Sequence, residues 1–410
     1  MNLNIRATLW PSKSIILLNL LIVLGTRPEA VKLAPVVLAA RKQPGMQVTV
    51  CSTGQHADMC TGVLDLFGIS ADVDLAVMTP GQTLTDLTGT VLRAMRALLE
   101  EKRPDWLIVQ GDTTTAFAAA LAAFYQKIPV AHVEAGLRTG NIYAPWPEEM
   151  NRKLITAIAR LHFAPVASNA ENLRREGVDP SCIVTTGNTG IDALKWLVRR
   201  LGEDARLRER ASAVLRSAGI HCLDSETPRI VLITAHRRES FGSGFVSICN
   251  AIVELARRFP DRHFVYPVHP NPEVRDAVYR ELGERRLDNV HLIEPLDYLP
   301  FVLLMSRAEL LLTDSGGIQE EAPSLGKRVI VMRVVTERTE GLQTNLVRLA
   351  GTDRDRIVGD VSDALSGRWP TNQGGRELYG EGRAAERIID TLLGGKMPAS
   401  AAAVTVNTSP

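Results

Sequence analysis

The chain has 410 residues, of which 45% are hydrophobic and 23% are charged, and its formal net charge is +1 at pH 7. This length is too great for one ordinary core and favours two domains of about 150–200 residues each. A balanced charge offers no global field that would attract nucleic acid or an anionic membrane, so any anion must be held locally. The composition predicts a soluble globular protein without nucleic-acid or membrane partners.

The chain ends and the cysteines indicate where the protein works. The apolar stretch over 14–24 imitates a signal peptide, but it is too short for a transmembrane helix and no cleavage site follows it. We predict that its second half is the first buried strand, after a loose extension over 1–17. The low-complexity tail over 397–410 is predicted to be disordered. Five scattered cysteines without CxxC spacing favour a reducing cytoplasm over a disulfide framework or a zinc site.

Short apolar runs alternate with helix-like patterns along almost the whole chain. In the first half the runs are LLIVLG, QVTVCSTG, DWLIVQGD, IPVAHVEAG, RLHFAPV and CIVTTG. A charged, helix-like stretch over 193–217 follows, and the pattern restarts with RIVLITAH, HFVYPVHP, VHLIEP, AELLLTDSGG and RVIVMR. Apolar runs without polar alternation are typical of parallel strands that helices cover on both faces.

This repeated pattern predicts an α/β fold with two Rossmann-like, doubly wound domains that face a central cleft. The predicted domain ranges are 18–192 and 193–375. Ligands of open parallel sheets bind beyond the carboxyl ends of the strands. Because most of the chemically suggestive side chains directly follow a strand-like run, we expect them to meet in the cleft.

The segment LTDSGGIQEEAPSLG joins a strand to a helix through two glycines. The backbone N–H groups of Ser315, Gly316 and Gly317 are predicted to cradle a phosphate at the helix N-terminus. Glu320 and Glu321, about one turn further on, could accept hydrogen bonds from paired hydroxyls such as a ribose diol. The alternative is a helix start with an acidic first turn, which the helix dipole favours. The segment has no Walker lysine and is not a P-loop.

Two further strand ends carry charged residues. In LGTRPEAVKLAP, Arg27 and Lys32 lie around the start of the first helix, where a fixed cation could contact a diphosphate, although surface charge is the alternative. In VQGDTTTAFAAALAAF, Asp112 lies between a strand and an alanine-rich helix. It is either a helix N-cap or a carboxylate at the cleft that steers a neighbouring acid or base.

The segment ITAHRRESFG places His236 at the carboxyl end of the first strand of the second domain, before two arginines. Lone histidines are most often structural, but this position favours function, and the arginines should lower the pKa of His236. His269 occupies an equivalent place in VYPVHPNP.

No HExxH or other metal-ligand spacing, no GxSxG elbow and no catalytic cysteine pattern occurs. A metal-free acid/base reaction on a phosphate-bearing substrate is the chemistry that remains.

The segment HVEAGLRTGNIYAPWPEEMNR contains Glu134 and, fourteen residues later, the pair Glu148 and Glu149. The segment also carries two glycines, two aromatic residues and two prolines. On its own it is either a surface loop with solvated carboxylates or part of an acid/base apparatus.

Seven segments occur in this order: GTRPEAVKLAP, GDTTTAFAAALAAFYQKIPVAHVEAGLRTGNIYAPWPEEMNR, GNTGIDAL, HRRESFG, YPVHPNP, YLPF and LTDSGGIQEEAPSLGK. Together they closely resemble the non-hydrolysing UDP-N-acetylglucosamine 2-epimerases over residues 18–392. The resemblance implies a fold like glycosyltransferase type B, with a C-terminal helix over 376–396 that packs back on the first domain. It also implies a UDP-N-acetylhexosamine substrate, a homodimer, and neither metal nor cofactor.

In this family, UDP leaves anti as a base removes the C2 proton, and it re-adds to 2-acetamidoglucal after protonation of the opposite face. The positions that match the family's catalytic residues are Asp112, Glu134, Glu148 and His236. The positions expected to hold UDP are Arg27, Lys32, Phe301, Ser315, Gly316, Gly317, Glu321 and Arg338. Glu134 and Glu148 are the implied acid/base pair, one on each face of C2, and which of them is the base in each direction stays open. For Glu149 we expect a structural or helix-start role.

The chain departs from the family pattern in three places, RVVTERTE, the following GLQTNLVRLAG, and TGQHADM. RVVTERTE stands where many members read RDTTERPE, so Val334 replaces an acid and Thr339 a proline. Ala57 stands where an arginine is common. Bacterial members are often activated by a second UDP-N-acetylglucosamine near that motif, so we predict weakened or absent activation here. The residues that could line such a pocket are Gln55, His56, Arg238 and His269.

Three other functions share part of this pattern. A glycosyltransferase of the same build would share the phosphate cradle but would not need the three carboxylates together, and it would consume an acceptor. A hydrolysing 2-epimerase would release UDP and free N-acetylmannosamine irreversibly. A nucleotide-sugar sensor that has lost catalysis finds its only support in the altered RVVTERTE segment.

Overall fold

The computed structural model describes residues 17–54, 57–79, 81–237, 240–285, 287–370 and 375–394. The predicted tail over 397–410 and the predicted N-terminal extension, except Leu17, lie outside these residues. None of the helices in the described part of the chain combines the length and apolar character needed to cross a membrane.

The first half of the chain forms a parallel sheet covered by helices. Its strands are β1 (Leu18–Leu24), β2 (Met46–Ser52), β3 (Val73–Asp74), β4 (Trp106–Gln110), β5 (Val130–Val133), β6 (Leu161–Ala164) and β7 (Ile183–Thr185). Its helices are α1 (Arg27–Arg41), α2 (Ala57–Leu66), α3 (Leu84–Lys102), α4 (Thr114–Tyr125), α5 (Glu148–Ile158), α6 (Ala167–Arg175) and α7 (Thr189–Glu203), with a 3-10 turn at Pro180–Cys182. The strand order is β3-β2-β1-β4-β5-β6-β7.

The second half repeats this architecture. Its strands are β8 (Ile230–Thr234), β9 (His263–Pro267), β10 (Val290–Ile293), β11 (Leu310–Thr313), β12 (Arg328–Val331) and β13 (Val347–Leu349), in the order β10-β9-β8-β11-β12-β13. Its helices are α8 (Ala205–Ser217), α9 (Ser243–Arg258), α10 (Pro272–Glu281), α11 (Tyr298–Arg307), α12 (Gly316–Ser324), α13 (Thr339–Leu342), α14 (Arg354–Leu365) and α15 (Ala384–Leu393). Short 3-10 turns lie at Cys222–Asp224 and Gly283–Arg285.

The unbroken apolar runs form central strands, as predicted. All five residues of β4 are buried, and so are the four residues of β11. Every strand pair is parallel, and the strand order reverses between β1 and β4 and between β8 and β11. A ligand crevice is expected at each reversal, beyond the carboxyl ends of the strands. The predicted α/β class with two Rossmann-like sheets is confirmed.

Two helices connect the halves. α7 runs through the predicted domain boundary at 192 and 193, and it contacts α1 on one side and α11 and α12 on the other. The C-terminal helix α15 packs against α1 and α7. Its first N–H groups, at Ala384 and Ala385, donate to the buried carboxylate of Asp192 at 3.2 and 2.8 Å. This contact ties the end of the chain to the helix that joins the two sheets.

Candidate active site

Two of the cavities lie between the carboxyl ends of the two sheets. The larger has a volume of about 1140 Å³ and is bounded by the segment 137–148, the start of α6 and the segment 333–340. The smaller has a volume of about 440 Å³ and lies between the starts of α1, α11 and α12. His236 and His269 line both cavities, so the two spaces form one continuous site.

The smaller cavity ends at the N-terminus of α12. Ser315 is the N-cap residue but makes no side-chain cap bond, so the first-turn N–H groups have no capping acceptor. A Cβ at Gly316 would lie 2.9 Å from Cζ of Arg338, so only glycine lets the guanidinium pack beneath this turn. This uncapped helix N-terminus, where Gly317 lines the cavity, is a ready anion site.

One predicted phosphate donor needs correction. The backbone N–H of Ser315 donates to Oγ1 of Thr313 at 2.9 Å, so it is already engaged within the protein. Only the rest of Ser315 lines the cavity, together with Gly317. Of the predicted cradle, the N–H group of Gly317 is the donor that remains at the cavity, because Gly316 is buried and does not line it.

Four other predicted binding residues, Arg27, Lys32, Phe301 and Glu321, also line the smaller cavity. Arg27 donates to the carbonyl of Leu296 at 3.4 Å, which places its guanidinium at the start of α1. Burial raises the pKa of Glu321 to about 7, against the opposing charges of Lys32 and Arg27. The carboxyl group therefore titrates near neutral pH when no ligand is present.

Glu134 follows β5 and has a φ of +65°, a backbone conformation that only glycine adopts without strain. Nζ of Lys32 lies 2.6 Å from its Oε1 and 2.7 Å from its Oε2. The side-chain amide of Gln110 donates to Oε2, and that of Asn188 donates to Oε1 at 3.4 Å.

Burial alone would raise the pKa of Glu134, but the charge of Lys32, followed by Arg338 and Arg152, outweighs burial and lowers this pKa. Glu134 is therefore an ionised carboxylate at neutral pH.

Arg152 of α5 connects two carboxylates. Its guanidinium contacts Asp112 at 2.6 Å and Glu149 at 2.9 Å. Glu149 is fully buried, and its carboxylate also accepts the backbone N–H groups of Thr139 and Gly140. Glu149 thus anchors the loop that borders the larger cavity, which supports the structural role expected for it. Asp112 lines neither cavity and reaches the site through Arg152.

Glu148 begins α5 and lines the larger cavity. Its Oε2 is buried and has no hydrogen-bond partner among the described residues. A buried carboxylate oxygen without a partner is costly unless a ligand or solvent satisfies it. Glu148 and Glu149 are neighbours in sequence, but only Glu148 presents an unengaged oxygen at the cavity.

His236 follows β8, and its ring stacks on that of His269 with centroids 5.0 Å apart. The carboxylate of Asp314 accepts the backbone N–H groups of His236 and Arg237 at 2.6 and 2.7 Å, and its Oδ1 lies 3.3 Å from Nδ1 of His236. Burial lowers the pKa of His236, Asp314 opposes this shift, and His269 and Arg237 reinforce it. The pKa shift has the direction predicted from the sequence, but its largest cause is burial rather than the neighbouring arginines, and Arg237 is the smallest of its causes.

The geometry also separates some predicted residues from the cavities. Glu134, Gly316 and Arg338 line neither cavity. Glu134 contacts the smaller cavity through Lys32, and Arg338 lies beneath α12, where it donates to Glu320 at 2.9 Å. His269 stacks on His236 rather than belonging to a separate pocket. Gln55, His56 and Arg238 lie outside the described residues, so weakened activation stays a prediction.

Four residues at the site were not predicted from the sequence: Gln110, Arg152, Asn188 and Asp314. Asp314 directly follows β11, so the strand-end rule could have identified it. Among the described residues, no group of three or more His, Cys, Asp or Glu side chains is arranged to hold a metal ion.

Comparisons with known proteins agree with this architecture. The family model described as UDP-N-acetylglucosamine 2-epimerase matches residues 38–393. A probable UDP-N-acetylglucosamine 2-epimerase of Ralstonia nicotianae is 50% identical over 377 residues, covering 91% of this chain and 98% of the relative. The UDP-N-acetylglucosamine 2-epimerase of Escherichia coli K12 is 49% identical over 377 residues, with 92% and 98% covered.

A solved structure is also similar. The crystal structure of the UDP-GlcNAc 2-epimerase from Neisseria meningitidis, bound to UDP-GlcNAc, superimposes with a TM-score of 0.84 at 43% identity, and the match covers 92% of this chain and all of that one. The glycosyltransferase type B-like arrangement is thereby confirmed as well. The chain belongs to the UDP-N-acetylglucosamine 2-epimerase family.

Proposed function

We propose that the protein interconverts UDP-N-acetylglucosamine and UDP-N-acetylmannosamine by reversible, non-hydrolysing epimerisation at C2. The observation that carries this proposal is the contact of an ionised carboxylate, Glu134, with Lys32, which lines a cavity that ends at the N-terminus of α12. Such a site offers a base beside an anion cradle. Relatives with 49–50% identity are named for this reaction.

The chemistry is an elimination followed by an addition. A base takes the proton from C2, the C1–O bond to UDP breaks, its electron pair goes to the diphosphate, and a C1=C2 double bond forms. Re-addition of UDP after proton delivery to the opposite face of C2 gives the other epimer. These steps are redox-neutral, so the scheme uses no redox cofactor.

Two carboxylates of the first half, Glu134 and Glu148, carry out the acid/base steps, one on each face of C2. The lowered pKa of Glu134 supports its role as the base that removes the C2 proton from one epimer. The unengaged oxygen of Glu148 at the larger cavity supports its role as the proton donor on the opposite face. In the reverse direction the two residues exchange roles. Asp112 orients Arg152, whose charge favours ionised Glu134.

The leaving diphosphate is the largest charge that develops in the reaction. Arg27, Lys32 and the first turn of α12 surround the place where it would sit. Glu321, one turn further along α12, is placed to accept the ribose hydroxyls, and Phe301 is placed to pack on the uracil. His236 lies where the two cavities join and is placed to donate to the diphosphate as the C1–O bond breaks.

A homodimer and a cytoplasmic location belong to this proposal. Exposed Phe124 and Tyr125 at the end of α4, with Met150 and Leu154 on α5, supply apolar surface that a second copy would cover. None of the five cysteines, all of which lie in the described part of the chain, forms a disulfide, which fits a reducing compartment. Light scattering coupled to size-exclusion chromatography tests the dimer.

Product analysis tests the proposed reaction. Purified protein is incubated with EDTA and either UDP sugar, and the products are separated by ion-pair chromatography and identified by proton NMR. The proposal predicts the same mixture of both UDP sugars from either starting point, with little free UDP. Stoichiometric UDP and free N-acetylmannosamine would indicate the hydrolysing reaction instead. No conversion from either sugar contradicts the proposal.

A further inference from the structure

Asn188 lies between two carboxylates that come from opposite halves of the protein. Its side-chain NH2 group donates to Oε1 of Glu134 at 3.4 Å and also to Oε2 of Glu320. Glu134 follows a strand of the first sheet, whereas Glu320 belongs to α12 of the second half. One amide therefore bridges the candidate base and the helix whose N-terminus faces the nucleotide cavity.

The orientation of this amide is fixed by the backbone. Asn188 is the N-cap residue of α7, and its Oδ1 accepts the N–H of Gly190 at 2.8 Å. Its own N–H donates to the carbonyl of Tyr379 at 2.7 Å, and the residue is only 3% exposed. Because the oxygen must cap the helix, the NH2 group must face the carboxylates, and both of its hydrogens find an acceptor.

The bridge continues to the anion cradle. Glu320 accepts a second hydrogen bond, from Nε of Arg338 at 2.9 Å. The guanidinium of Arg338 in turn packs directly beneath Gly316, at the first turn of α12. A continuous chain of contacts thus runs from Glu134 through Asn188, Glu320 and Arg338 to the place where the diphosphate would bind.

Without this amide the two carboxylates would face one another. Lys32 acts on both, since the charges of Glu134 and Glu320 outweigh its burial and raise its pKa. Lys32, however, is also placed to contact the diphosphate. Its electrostatic interaction with the two carboxylates therefore changes as UDP binds or departs. Asn188 carries no charge and lines neither cavity, so it can hold Glu134 throughout the reaction.

We propose that Asn188 is a positioning residue that aligns Glu134 for proton transfer at C2 and makes this alignment depend on the docking of α12. Removal of the C2 proton is thereby coupled to the packing of α12 against the first half. This inference rests on the proposed epimerase reaction, and it adds a coupling between the two halves of the site that the reaction alone does not require.

The Asn188→Ser variant tests the proposal, because the serine hydroxyl can still accept the N–H of Gly190 and cap α7 but cannot bridge the two carboxylates. The readout is the rate at which the C2 proton of UDP-N-acetylglucosamine exchanges with D2O, measured with saturating substrate. We expect this rate to fall about 10²-fold, as misplacement of a catalytic group does, while KM and the affinity for UDP change by less than about 3-fold.

The pH profile separates positioning from a structural defect. The charged groups around Glu134 are Lys32 on α1, Arg152 on α5, and Glu320 with Arg338 from the second half. Asn188 adds a hydrogen bond to the ionised form, so its loss should move the acidic limb of the exchange rate to higher pH. A variant that only destabilises the fold would not move this limb.

Asn289→Ser is the matched control. The side-chain amide of Asn289 donates to the carbonyls of Ala256, Phe259 and Arg262, away from the cleft. We expect this variant to lower the melting temperature but to leave the exchange rate per folded molecule and its pH profile unchanged.

A double-variant cycle tests the link to α12. If Asn188 acts through Glu320, then Asn188→Ser combined with Glu320→Gln should exchange about as slowly as the slower single variant, whereas independent effects would multiply. An Asn188→Ser variant with wild-type exchange and pH profile, or with multiplicative losses in the cycle, overturns the proposal while the epimerase reaction stands. Absence of exchange in the wild-type protein would contradict the proposed function itself, and this inference with it.

Discussion

The ammonium group of Lys32 lies 2.6 Å from one carboxylate oxygen of Glu134 and 2.7 Å from the other. The two residues come from helix α1 and the end of strand β5, which are 102 residues apart in the chain. This ion pair stabilises the charged form of the candidate base, and its cation, Lys32, also lines the nucleotide cavity. Lys32 therefore influences both the pKa of Glu134 and the binding of the nucleotide.

Replacing Lys32 should affect both properties. For Lys32→Met we expect kcat/KM to fall about 10²–10³-fold, the size of effect seen when one stabilising donor is removed. Loss of the cation should raise the pKa of Glu134 and move the acidic limb of the pH–rate profile upward. Kinetics from pH 5 to 9 measure both changes. Lys102→Met, which removes a cation at the exposed end of α3, is the control and should match the wild type. A pH–rate profile of Lys32→Met that coincides with that of the wild type would contradict the role assigned to Lys32.

Glu148 and Glu149 should give opposite phenotypes although they are adjacent. Glu148→Gln removes the carboxylate that faces the larger cavity, and we expect at least about a 10²-fold loss of kcat with an unchanged melting temperature. Glu149→Gln weakens the bonds to Arg152, Thr139 and Gly140, at a cost of about 1–3 kcal/mol in unfolding free energy. Steady-state kinetics and thermal unfolding of both variants measure these two effects. A loss of stability in Glu148→Gln together with a loss of kcat in Glu149→Gln would reverse the roles assigned to the two residues.

The raised pKa of Glu321 predicts a pH-dependent stability. Between the ordinary pKa of 4.5 and about 7, the folded protein binds more protons at this group than the unfolded chain does. Stability contributed by the neutral carboxyl group is therefore lost as the pH rises through this window. Glu321→Gln removes the effect, so it should stabilise the nucleotide-free protein at pH 8 by up to about 3 kcal/mol and have little effect at pH 4.5.

Denaturant unfolding of Glu321→Gln at the two pH values measures this difference, with Glu203→Gln on the exposed face of α7 as the control. Equal stabilisation at both pH values would show that the carboxyl group is not titrating in the window. Saturating UDP should reduce the difference, because bound hydroxyls favour the ionised carboxylate.

Asp314 should control the ionisation of His236. Its buried carboxylate opposes the downward pKa shift that burial imposes on the imidazole ring. In Asp314→Asn, the pKa of His236 should therefore fall further below its ordinary value. Titration of the ring by ¹⁵N NMR measures the change, with His236→Gln for resonance assignment. An unchanged titration would mean that the 3.3 Å approach of Asp314 to the ring is electrostatically unimportant.

The strand-end rule explains how much of the site could be predicted from the sequence. Arg27, Glu134, His236 and Ser315 each follow an apolar run within three residues, and parallel sheets bring such positions to one edge. Three-dimensional packing decides the rest. The engagement of the Ser315 N–H depends on the rotamer of Thr313, which no spacing reveals.

Asn188 shows the same limit more clearly. In the segment GNTGIDAL it is an ordinary helix N-cap, and nothing local distinguishes it from the N-cap at Asn271. Its partner Glu320 is 132 residues away, on a helix of the other half. Only the docking of the two halves turns a capping residue into a bridge between two carboxylates.

Exchange of the C2 proton with retention of UDP is the step assigned to Glu134 and its surroundings. Proton NMR of the purified wild-type protein with UDP-N-acetylglucosamine in D2O measures this step directly. We expect deuterium to appear at C2 of both epimers, with both sugars still joined to UDP. Tight binding of UDP without any exchange at C2 would contradict this assignment.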